Sequence, residues 1–158
     1  MPSEKEIDPV NILLVDDSPD DTDLALIALR KENLANGIVI VRDGEEALDF
    51  LFCSGAFKDR SFDHPPKLVL LDLKLPKIDG LQVLKEIRSD PRTKSIPVVI
   101  LTSSKEEQDI AMGYSLGVNS YVQKPVDFDQ FRSAVKTLGL YWMVVNQPPI
   151  TRDSGNFR

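Results

Sequence analysis

The segment Lys67–Leu71 reads KLVLL and is followed at once by Asp72. Consecutive apolar residues leave no polar face, so this is a strand covered on both sides, of the kind found in parallel sheets under helices. Similar runs occur at Asn11–Val15 (NILLV), Ile38–Val41 (IVIV) and Pro97–Leu101 (PVVIL), with a shorter strand at Asn119–Val122. Between them lie helical patterns. Ser18-Pro19 opens the first, because serine caps exposed N–H groups and proline at the first helical position loses no needed bond. Leu24, Ile27 and Ala28 then give helical spacing, up to about Asn33. Gly44–Cys53 is a second helix, with Ala47, Leu48 and Leu51 on one side. Leu81, Leu84 and Ile87 mark a third, bounded by Asp79-Gly80 and Asp90-Pro91. A fourth spans Glu106–Leu116 and ends at Gly117, and the last begins at Asp127. The expected fold is α/β, a doubly wound five-stranded parallel sheet flanked by five helices. Its site belongs at the carboxyl ends of the strands.

The chain has 158 residues, with 19 Lys and Arg against 25 Asp and Glu, for a net charge of −6. That length suits one domain. The acidic balance argues against a nucleic-acid surface, which needs clustered cations. A single cysteine, Cys53, excludes a disulfide framework and a cysteine-based zinc site. No apolar run approaches the ~18 residues of a membrane helix. The polar start does not resemble a signal peptide, so a cytoplasmic domain is expected. Residues 1–9 read as a flexible extension, 10–146 as the domain and 147–158 as a flexible tail.

The strand ends carry chemistry. The first ends in Asp16-Asp17, the third in Asp72 and the fourth in Thr102, and the fifth is followed by Lys124-Pro125. In a parallel sheet these ends share one edge, so three carboxylates, a hydroxyl and an ammonium converge. Converging carboxylates repel one another, and a hard divalent cation such as Mg²⁺ relieves this. A carboxylate beside Mg²⁺ can also act as a nucleophile toward phosphorus. Lys124 supplies a compact positive charge for a phosphoryl group, and Thr102 a hydroxyl donor.

At these positions the sequence resembles the receiver domain of two-component response regulators. The resemblance rests on VDDSPDD at Val15–Asp21, LLDLKLPKIDG at Leu70–Gly80, LTSS at Leu101–Ser104 and YVQKP at Tyr121–Pro125. It covers about Asn11 to Leu138 and implies a flavodoxin-like receiver fold. It implies that Asp72 is the phosphoacceptor, served by a histidine kinase, with slow self-dephosphorylation at the same residue. Asp17, Asp72 and the backbone carbonyl of Lys74 would bind Mg²⁺ directly, and Asp16 through water. Thr102 and Lys124 would sense the phosphoryl group, Tyr121 would be the aromatic switch, and Pro125 would follow a cis peptide bond. Lys74 sits where many relatives carry a polar residue that tunes phosphoryl lifetime. The stretched segment Ser54–Pro66 and the apolar last helix resemble the small regulators paired with cyanobacterial phytochrome histidine kinases.

Other residues read more plainly. His64 is a loop residue, Cys53 a small core residue of the second helix, and Asp20, Asp21 and Asp23 a solvated first helical turn without a metal role. Phe128, Phe131, Val135, Leu138, Trp142 and Val145 recur at alternating spacings of 3 and 4, a narrow helical stripe. LYWMVV at Leu140–Val145 has no face suited to water. A homodimer contact through Tyr141, Trp142 and Val145 is expected, with folding back onto the domain as the alternative. With no effector domain expected after residue 146, output would pass through protein contacts. Two rival functions remain. A haloacid-dehalogenase-type phosphohydrolase needs a second aspartate two positions after the nucleophile, where this chain has Lys74. An unphosphorylated scaffold has no use for converging carboxylates.

Overall fold

The computed structural model describes residues 12–30, 37–102, 117, 120–124, 127, 129–130 and 132–133. Five strands, β1 (Ile12–Val15), β2 (Ile38–Val41), β3 (Leu68–Asp72), β4 (Val98–Thr102) and β5 (Ser120–Gln123), form one sheet in the order β2-β1-β3-β4-β5. Every pairing is parallel, with Leu14 opposite both Ile40 and Leu70, and Asp72 opposite Leu101. Order 2-1-3-4-5 reverses direction between β1 and β3, and such a switch point is where an open α/β sheet presents its site.

Three helices lie among the described residues: α1 (Pro19–Arg30), α2 (Gly44–Leu51) and α3 (Gly80–Ser89). Successive strand residues point to opposite faces, and here both faces are covered. Ile12, Leu14, Leu68 and Leu70 pack with Ala25, Ala28 and Leu29 of α1. Leu13, Val15, Val69 and Leu71 pack with Ala47 and Phe50 of α2 and with Val83, Leu84 and Ile87 of α3. All four of β1's residues and Leu68–Leu71 are fully buried, which explains why these strands carry no polar alternation.

The helix expected after Ser18-Pro19 is present as α1. Thr22, Ala25, Ala28 and Leu29 face the sheet, while Leu24 and Ile27 are 46% and 55% exposed. Leu29 is the one large side chain on the buried side, beside the smaller Thr22, Ala25 and Ala28. Cys53 departs from expectation. It lies beyond the end of α2, half-buried, with φ +56°, so it is a turn residue and not part of the core.

Ser54–Pro66 is anchored by Arg60. Its guanidinium lies 3.7 Å from the centre of the Phe50 ring and donates to the carbonyls of Phe50 and, at 3.0 Å, of His64. His64 itself is exposed in this loop, as expected. Arg88 at the end of α3 is a second anchor. It donates to the carbonyls of Ile96 and Gly117 at 2.7 Å and of Lys94 at 2.9 Å. Gly117 has φ +82°, the left-handed backbone expected of a helix-ending glycine.

The helix expected at Glu106–Leu116, the two termini, Pro125 and the stripe carrying Tyr141, Trp142 and Val145 lie outside the described residues. Residues 129–130 and 132–133 are helical, in the region where the last helix was expected. Among the described residues, no helix is long and apolar enough to cross a membrane.

Candidate phosphoryl and metal site

The chain leaves β1 directly into a helix cap. Asp16 receives its backbone position from a bond to the Val41 carbonyl at 3.1 Å, and its Oδ1 accepts from Ser18 N at 3.0 Å. Ser18 Oγ then accepts from Asp21 N at 3.2 Å, which caps α1 as its sequence suggested. The N-terminus of α1 therefore abuts the carboxyl end of β1, and its partial positive charge faces the acidic residues. Asp16 is 1% exposed, and Asp17, the next residue, is exposed.

Asp72 ends β3 at 6% exposure, and its Oδ1 accepts from Lys74 N at 3.2 Å. Gly80 opens α3 against this turn and donates to the Leu73 carbonyl at 2.9 Å. A Cβ at Gly80 would lie 2.7 Å from Leu73 Cα and collide with the Asp72 carbonyl, so the close approach of α3 to the site requires glycine. Asp79 caps α3 by accepting from Gln82 N at 2.9 Å.

These turns converge. One oxygen each from Asp16, Asp17 and Asp72 lies within 4.8 Å of the others, a spacing that one metal ion can bridge. Lys124, just after β5, places Nζ 2.9 Å from Oδ2 of Asp16, of Asp21 and of Asp72. Its side chain is only 8% exposed. Burial by itself would lower the lysine pKa, but the hydrogen bonds it donates to Asp16, Asp21 and Asp72 overcome this and raise it. Asp72 is shifted upward, first by burial and further by the charge of Asp16, against the opposing pull of Lys124. Three carboxylates thus share one ammonium with Asp17 beside them, and the excess negative charge fits a divalent cation. Beside the cluster, Asp17, Leu73, Lys74, Leu75, Pro76, Asp79 and Leu81 line an open cavity of about 440 Å³.

The structure brings Asp16, Asp17, Asp72 and Lys124 together and places Lys74 next to them. Thr102 ends β4 opposite Gln123, on the same edge of the sheet. Tyr121 lies in β5, 44% exposed. Asp21 corrects the sequence reading: Asp20 and Asp23 are exposed as expected, but Asp21 reaches the cluster and pairs with Lys124. Its place in the first turn of the helix that abuts Asp16 is the signal that could have found it.

The response regulator receiver domain family matches residues 12–136. The chain is 38% identical over 141 residues to response regulator Rcp1 of Synechocystis, covering 89% of this chain and 94% of that protein. Among solved structures, the bacteriophytochrome response regulator RtBRR is 50% identical with a TM-score of 0.79, covering 90% of this chain and 85% of that one. The phosphorylated cyanobacterial phytochrome response regulator RcpA is 40% identical with a TM-score of 0.71, covering 90% and 100%. The Mn²⁺-bound form of Rcp1 is 36% identical with the same TM-score of 0.71, covering 91% and 100%. With most of its length matched by the family and by these regulators, this chain belongs to the response regulator receiver domain family.

Proposed function

We propose that this protein is the phosphoacceptor of a two-component relay, taking a phosphoryl group from a histidine kinase of the phytochrome type onto Asp72. The observation that carries this reading is the approach of Lys124 Nζ to Asp72 Oδ2 at 2.9 Å, within an edge where Asp16, Asp17 and Asp72 crowd together. A carboxylate oxygen of Asp72 attacks the phosphorus, the P–N bond to the donor imidazole breaks, and that nitrogen keeps the electron pair. Phosphoryl transfer of this kind needs in-line placement and neutralised charge more than covalent help. Asp16, Asp17, Asp72 and the Lys74 carbonyl would hold Mg²⁺, which when bound offsets charge on the phosphoryl oxygens. Lys124 pairs with a phosphoryl oxygen, and the Lys74 N–H already directed at Asp72 holds the carboxylate orientation.

Thr102 and Tyr121 then form the switch, with Thr102 drawn toward the phosphoryl group and the exposed Tyr121 ring turning inward. A cis bond before Pro125 belongs to the same reading and rests on the YVQKP motif in the sequence. Slow hydrolysis of the aspartyl phosphate resets the protein. Output passes through protein contacts in the cytoplasm, with a homodimer through Tyr141, Trp142 and Val145 supported by the apolar stripe in the sequence. Sedimentation checks the dimer: a monomeric wild type at micromolar concentration removes it, and Trp142→Ala should shift a dimer to monomer.

Intact-mass measurement after incubation with a small phosphodonor and Mg²⁺ tests the central reading. One added phosphoryl group is expected, absent in Asp72→Asn and absent without Mg²⁺. No gain with either a small donor or a histidine kinase favours the unphosphorylated scaffold.

A further inference from the structure

The receiver reading accounts for Asp16, Asp17, Asp72 and Lys124, yet Lys124 has a third carboxylate partner. Asp21 Oδ2 lies 2.9 Å from Lys124 Nζ, as close as Asp16 and Asp72 do. Its position is built: Ser18 Oγ accepts from Asp21 N at 3.2 Å, so the cap of α1 holds the residue beside β1's end. Asp21 is also the outermost of the three partners, with its side chain 34% exposed against 2% for Asp16 and 8% for Asp72. It therefore binds the ammonium from the solvent side, whereas the other two bind it from within.

We propose that Asp21 is a positioning residue that holds Lys124 by its outer side and competes with the phosphoryl group for it. This rests on the phosphoacceptor reading. A cation entering among Asp16, Asp17 and Asp72 must share those carboxylates with the ammonium. Asp21 gives Lys124 a partner that the cation does not need, so Lys124 can yield Asp16 and Asp72 without losing all its pairing. An anion on Asp72 makes the opposite demand, since it needs Lys124 and must draw it from Asp21. The same carboxylate thus favours cation binding and opposes anion binding.

Those opposite signs make the test. Calorimetric titration with Mg²⁺ alone, and with beryllofluoride at saturating Mg²⁺, is run on wild type, Asp21→Asn, Asp21→Glu and Asp20→Asn. Asp20→Asn removes the same charge from an exposed neighbour that does not pair with Lys124. Relative to it, Asp21→Asn should weaken Mg²⁺ and tighten beryllofluoride, each by about tenfold, the scale of one charged hydrogen bond. Asp21→Glu should return both toward wild type. A merely structural role would weaken both ligands. Equal behaviour of Asp21→Asn and Asp20→Asn, or shifts of both ligands in one direction, overturns the proposal. If wild type binds Mg²⁺ but no beryllofluoride, the phosphoacceptor reading fails, and the Mg²⁺ comparison alone decides the role of Asp21.

Discussion

Arg88 and Lys124 are both substantially buried cations at element ends, and they are satisfied in opposite ways. Arg88 donates to three neutral carbonyls, of Lys94, Ile96 and Gly117. Burial pushes its guanidinium pKa down. It staples the end of α3 to the approach of β4 and to the turn at Gly117. Lys124 faces Asp16, Asp21 and Asp72 at one distance, with Asp17 alongside. Its region keeps a negative excess that no described protein group cancels. The printed partners of Arg88 are neutral oxygens, whereas the carboxylates around Lys124 outnumber it among the described residues and fit a divalent cation. The buried cation at the candidate site is one whose carboxylate partners outnumber it.

Breaking the acidic side should have the larger effect. Lys124→Ala leaves three carboxylates without their ammonium, and breaking a buried ion pair from one side costs about 3 kcal/mol or more. Urea unfolding in EDTA should show that loss, and Mg²⁺ should restore most of it, because the metal can replace the missing charge.

Arg88→Ala should cost about 2 kcal/mol through carbonyls left unpaired. The same assay should show no recovery with Mg²⁺, since those acceptors are neutral and lie away from the cluster. Recovery by Mg²⁺ would end the contrast between the two cations.

Asp72→Asn should stabilise the metal-free protein by about 1 kcal/mol, because it removes a buried charge from a repulsive cluster. The pH dependence follows with its sign. Asp72 holds its proton more tightly folded than unfolded, so its contribution is fully present below the unfolded carboxylate pKa and fades as pH rises through the folded value. In EDTA, this residue should therefore make stability rise as pH falls toward the ordinary carboxylate range, and Asp72→Asn should flatten that rise.

The smallest effect belongs to Lys77. It pairs with Glu45 at 3.3 Å and Asp43 at 3.6 Å on an exposed surface. Lys77→Ala should leave the urea midpoint unchanged within error, since surface pairs contribute little. A clear loss would mean that an exposed pair can matter as much as the buried ones.

Much of this is legible in the sequence. The strand segments were readable because a strand buried on both faces needs an unbroken apolar run, and Leu68–Leu71 and Ile12–Val15 are such runs. Ser18-Pro19 and Asp79-Gly80 announced their helices through side-chain oxygens that cap N–H groups. The spacing of Leu24, Ile27 and Ala28 announced α1, but which side it buries, Thr22, Ala25, Ala28 and Leu29, depends on how the helix rests on the sheet. Cys53 was misplaced because the end of α2 depends on a single residue adopting a left-handed backbone.

The sequence by itself determined a parallel α/β sheet and put Asp16, Asp17, Asp72, Thr102 and Lys124 on one edge. Strand order along the chain and the common direction of parallel strands are enough for that. Only the tertiary structure decided that Asp21 joins them and that Lys124 lies equidistant from three carboxylates. Such pairings depend on where a helix's first turn rests against a strand end 103 residues away in the chain. Local patterning carries no information about that distance.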